Sequence, residues 1–112
     1  MSVHIPTSSP KELLSSIKAK IDKGEIRTWS YDKDGDFTHT PDQWKTKAWL
    51  RHRDVAGELV LGIIPPKGTT LSKEVYAVYH GRFIEMMLAH FDADFSRASA
   101  TAGYTSHDAT ST

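Results

Sequence analysis

Four cations, Lys45, Lys47, Arg51 and Arg53, occur between positions 45 and 53 with no acid among them, interleaved with Trp49 and His52. In an extended segment alternate residues share a face, so Lys47, Trp49, Arg51 and Arg53 are expected side by side. Arg27, Trp29 and Tyr31 alternate in the same way. Paired across a sheet, the two runs predict a surface of cations beside aromatic rings, with Trp29, Tyr31, Lys47, Trp49, Arg51 and Arg53 as its binding residues. Trp, Tyr and Arg are enriched at protein-binding hot spots, which makes protein–protein interaction or regulation the expected role. The same mixture can stack the bases and meet the phosphates of single-stranded nucleic acid or RNA, the alternative reading of this face.

Other constellations are thinner. Asp32-Lys33-Asp34-Gly35-Asp36 invites a calcium reading, but counted from Asp32 the glycine is at position four and position twelve is Gln43. A calcium loop of the helix–loop–helix type needs Gly at six and a bidentate Glu at twelve, so the segment reads as a solvated hairpin turn and no metal is expected. The histidines are His4, His39, His52, His80, His90 and His107, and no two stand at the i, i+4 spacing that puts two rings on one metal. A small enzyme using His39 or His80 with Asp36 and Glu85 is a third reading, resting on residue type alone. The nucleophile elbow, the Walker loop and the glycine-rich dinucleotide loop are all missing, so neither catalysis nor a cofactor is expected.

The elements that must position these residues follow from periodicity. Ser9-Pro10-Lys11-Glu12 forms a candidate capping box with Pro at the first helical position. Leu13, Leu14, Ile17 and Ile21 recur at helical spacing up to Gly24, which predicts a helix over 10–23. Residues 25–32 alternate as a strand, Asp34-Gly35 supplies a hairpin turn, and 36–40 return as the second strand. A short helical turn at 41–44 carries Trp44. Strands are then expected over 47–53 and 58–64, the second ended by Pro65-Pro66, which cannot donate ladder hydrogen bonds. Ser72 is the N-cap of a second helix reaching about Phe95.

That second helix is apolar over much of its circumference, so it should be covered on two sides. One cover is the sheet; the other is the first helix or a second copy, with Tyr76, Tyr79, Met86 and Met87 as the seam of a two-fold homodimer. The order helix, four strands, helix predicts an α+β two-layer sandwich, an antiparallel sheet of about four strands with both helices on one face. It is similar in topology to the helix, three strands and helix of double-stranded RNA-binding domains. The second helix, however, opens with Leu71-Ser72-Lys73-Glu74-Val75, a single Lys beside an acid, so no functional residue carries over.

Composition bounds the rest. The chain has 112 residues, which allows one domain, expected over 1–95. Residues 96–112 are rich in Ser, Ala, Thr and Gly and are expected to form a disordered tail. With 14 basic and 14 acidic residues the formal charge is zero, so no global field draws the chain to nucleic acid or an anionic membrane. The chain has no cysteine, which removes disulfides and thiolate chemistry and fits a reducing compartment. No leader pattern and no apolar run near the ~20 residues of a membrane span is present, so a cytoplasmic location is expected.

Overall fold

The computed structural model describes residues 2–103 and Asp108. Helices α1 (Pro10–Asp22) and α2 (Lys73–Phe91) cover one face of a six-stranded antiparallel sheet, giving the α+β sandwich that the periodicity implies. In chain order the strands are β1 (Ser2–Pro6), β2 (Trp29–Tyr31), β3 (Phe37–His39), β4 (Trp49–Arg53), β5 (Glu58–Ile64) and β6 (Ser99–Ala100). Across the sheet they run β2-β3-β4-β5-β1-β6.

The sheet has two strands more than expected. β1 forms because Ser-Val-His-Ile-Pro alternates: Val3 and Ile5 enter the core, paired in register with Leu61 and Leu59 of β5. Its place at the start of the order ends the topological likeness to RNA-binding domains. β6 lies inside the segment read as a disordered tail. Val3 and His4 pair with Ala100 and Ser99, and the Thr101 N–H donates to the Ser2 carbonyl at 3.0 Å. Backbone pairing to the outer edge of β1 supplies what the small side chains of β6 cannot. Apart from Asp108, positions 104–112 lie outside the described residues.

α1 starts and stops as its sequence predicts, but the capping box does not form. The Ser9 side chain makes no cap bond, and the Ser9 N–H donates to Thr7 Oγ1 at 3.2 Å rather than to Glu12. α2 keeps its expected N-cap, with Ser72 Oγ accepting from the Val75 N–H at 3.2 Å, and ends at Phe91. The helices meet where Lys20 donates to the His90 carbonyl at 2.8 Å, its ammonium 4.6 Å from the Phe91 ring centre.

Between the layers lie Leu13 and Ile17 from α1, Tyr79, Phe83, Met87 and Phe91 from α2, and the inward residues of five strands. Each fully buried Leu, Ile or Phe contributes about 1.5–3 kcal/mol through removal from water. Tyr76, Tyr79, Met86 and Met87, expected at a dimer seam, are all at most 6 % exposed within one chain. They are core residues and cannot form that seam. α2 is apolar around so much of its surface because sheet and α1 both pack on it.

Candidate functional site

The face of the sheet opposite the helices is built by strand alternation. In β4, Leu50 enters the core, so Trp49, Arg51 and Arg53 point the other way. Register places Arg51 beside Gly62 and Arg53 beside Val60, and these in turn face Ser2 and His4 of β1. Trp49 pairs with Ile64 at the end of this row and is half-buried, while Lys47, just before the strand, is exposed.

β2 does not join this surface. Trp29 is 1 % exposed, its indole 4.7 Å from the His39 ring and edge-on to Tyr79 and Phe83 at 5.6 and 5.1 Å. Tyr31 also turns inward, edge-on to Phe37 at 6.2 Å, with its hydroxyl donating to Asp22 at 2.6 Å. The expected six-residue face therefore splits: Trp29 and Tyr31 belong to the helix side, and Lys47, Trp49, Arg51 and Arg53 remain. The physical reason is register: β2 turns both large rings to the helix side, Trp29 buried and Tyr31 half-buried, and leaves Ser30 between them on the other face. Arg27 bends back and donates to the Gly24 carbonyl at 3.2 Å.

Arg51 is held by Asp36. Its Nε donates to Oδ1 at 2.9 Å and its Nη2 to Oδ2 at 2.7 Å, a fork on an Asp36 side chain only 7 % exposed. The hydrogen bonds to Asp36 raise the Arg51 pKa further above its ordinary value. One carboxylate oxygen from each of Asp32, Asp34 and Asp36 lies within 4.8 Å of the others, and the Arg51 guanidinium, bonded to Asp36, also feels the charges of Asp34 and Asp32. Asp32 Oδ1 accepts from the Asp34 and Asp36 N–H groups at 2.9 and 3.0 Å, which closes the turn as the Asp-Gly pattern requires.

The other half of the face carries a chain that sequence reading missed. Glu58 Oε1 lies 2.7 Å from His4 Nδ1, and His4 Nε2 lies 2.9 Å from Ser2 Oγ. Acid, imidazole and hydroxyl are thus linked in the order used to activate a nucleophilic serine. Ser2 is fully buried, however, and its backbone N–H donates to Thr101 Oγ1 at 3.0 Å. In this structure the chain binds β5, β1 and the residue after β6 together and presents no hydroxyl to a substrate. The only sequence signal was Ser2 and His4 at strand spacing; Glu58 joins them through a register that no local pattern encodes.

Of the expected constellation of Asp36, His39, His80 and Glu85, the first three each hydrogen-bond a group outside it, although the Glu85 charge acts on His39. Asp36 is committed to Arg51, His39 Nδ1 bonds the Thr28 carbonyl at 2.7 Å, and His80 Nδ1 bonds the Tyr76 carbonyl at 2.6 Å. Glu85 is exposed beside Arg82 at 3.4 Å. Burial lowers the pKa of His39, and the same cause lowers that of His52 on the helix side. Among family models, curated proteins and solved structures, none matches this chain.

Proposed function

We propose that this chain acts by binding a protein partner in the cytoplasm through the part of the sheet face opposite the helices that is centred on Trp49, with Lys47, Arg51 and Arg53 around it. The observation that carries the reading is the fixed Arg51 guanidinium, two residues along the strand from a half-buried indole on the same face. Aromatic and arginine anchors held in place before contact lose little side-chain entropy on binding, which is what a hot spot needs. A nucleic-acid role is less well supported, because Asp36 neutralises Arg51 and Asp32 and Asp34 lie beside it, where they repel phosphate.

The test keeps the Asp36–Arg51 pair intact, since removing Arg51 would strand a buried carboxylate. A tagged chain is passed through nuclease-treated extract beside a Trp49→Ala, Lys47→Ala variant whose circular dichroism matches the parent. The expected result is a protein that co-elutes with the parent and is lost with the variant. Equal recovery by both chains rejects the site, and loss of all co-eluting material on nuclease treatment transfers the role to nucleic acid.

A further inference from the structure

At the end of the sheet where β4 begins and β5 ends, a groove of about 490 Å³ runs between the turn before β4 and the loop before α2. Half-buried Trp44, Leu71 and Val75 line it with apolar surface that continues into the core. Gln43, Thr46 and Lys47 line it from the turn before β4, and Thr69, Thr70 and Glu74 from the loop and first turn of α2.

The wall carrying Trp44 is held by a run of hydrogen bonds. The Trp44 and Lys45 N–H groups both donate to the Pro41 carbonyl, at 2.8 and 2.9 Å. The Trp44 carbonyl accepts from the Tyr79 hydroxyl, which also meets Thr38 Oγ1 at 3.0 Å. Thr38 Oγ1 in turn accepts from the Thr46 N–H at 3.1 Å. Thr46 has φ +57°, and among the described residues it is the one non-glycine with positive φ. A β-branched residue in that region is strained by about 1–3 kcal/mol, and such strain concentrates at ligand-contacting turns. The facing loop is stiffened by Pro66, whose carbonyl accepts from the Thr69 N–H at 3.0 Å. The N-terminus of α2 is already capped by Ser72.

From this we infer that the groove between Trp44 and Glu74 is a binding site for a neutral saccharide. The lining carries one cation, Lys47, and one anion, Glu74, so its own charges balance and favour neither a phosphate nor an amine. The open, hydroxyl-lined walls do not suit a wholly apolar ligand, which needs a dry enclosure. A sugar ring offers an apolar C–H face for the indole and hydroxyl edges for the Gln43 amide, the Glu74 carboxylate and the Lys47 ammonium. The groove shares Lys47 with the protein-binding face, but Gln43, Trp44 and Glu74 take no part there, so a variant at Gln43 and Glu74 tests the groove alone.

The experiment is a titration of the full chain with glucose, maltose, N-acetylglucosamine and chitobiose, followed by proton–nitrogen correlation spectra. At least one sugar should give saturable shifts at the Trp44 indole N–H and at amides within 43–47 and 69–75, with Kd about 1 mM. Gln43→Ala with Glu74→Ala, both exposed positions, should weaken that binding at least about tenfold while the remaining spectrum is unchanged. Absence of saturation with all four sugars overturns the inference. So does equal binding by the double variant, or inorganic phosphate moving the same resonances more tightly than any sugar.

Discussion

Asp36 shows why removing either partner of an ion pair has unequal effects. Arg51 keeps 44 % of its side chain exposed, so without Asp36 its guanidinium can turn to water. Without Arg51, the Asp36 carboxylate stays buried with its main charge partner gone. Arg51→Ala should therefore cost about 2–3 kcal/mol in urea unfolding, Asp36→Asn less, and the double variant less than the sum. Strict additivity would show that the fork contributes nothing. Histidine burial gives the molecule a pH dependence of known sign. His39 and His52 have pKa values lowered by burial, so the unfolded chain binds protons that the folded chain refuses. Stability is then full above the unfolded value near 6.5, falls as pH drops from there through the lowered folded values, and levels off below them. His39→Gln with His52→Gln should flatten that fall, whose slope cannot exceed about 1.4 kcal/mol per pH unit for each histidine. Thermal melts between acid and neutral pH would check it.

At the scale of elements, the C-terminal segment finishes what β1 leaves open. Ile63 extends past the point where β1 pairs with β5, and its N–H donates instead to Asp108 Oδ1 at 3.0 Å. Asp108→Ala should cost about 1–3 kcal/mol by leaving a buried amide without an acceptor, and Asp108→Asn, which keeps a side-chain oxygen, should restore most of it. Loss with both variants would assign the effect to charge rather than to the bond. In the strained turn the sign reverses: Thr46→Gly should raise stability by about 1 kcal/mol, because glycine adopts φ +57° freely. Both helices, the hairpin and the bounds of β5 were legible because each rests on a local pattern: a cap, a period, an Asp-Gly turn. β6 was not, since Ser-Ala has no propensity of its own and forms only against an edge supplied by distant residues. The candidate face was half legible for the same reason. Alternation showed that Trp29 and Tyr31 share a side and that Trp49 and Arg51 share a side, but which side of the sheet each pair takes depends on pairing between strands.

For the whole molecule, the radius of gyration is 13.0 Å, near the ~13 Å expected of a compact chain of this length. Tyr76, Tyr79, Met86 and Met87 are covered within one chain, so these four residues of α2 leave no seam for a second copy. Light scattering at micromolar concentration should give the mass of one chain, and a dimer would have to use a surface other than Tyr76, Tyr79, Met86 and Met87. One feature of the sheet also bears on time. β1 lies between β5 and β6, and the bond from Ser2 to Thr101 spans 99 positions of sequence. Contacts of such long separation must close large loops before they yield any stabilisation, which slows the search for the native arrangement. The β2–β3 hairpin and β4 with β5 can assemble from neighbouring segments, whereas the outer third of the sheet waits for the two ends of the described chain to meet. Refolding should therefore proceed in milliseconds to seconds rather than microseconds, with the amides of β1 the last to gain protection from exchange.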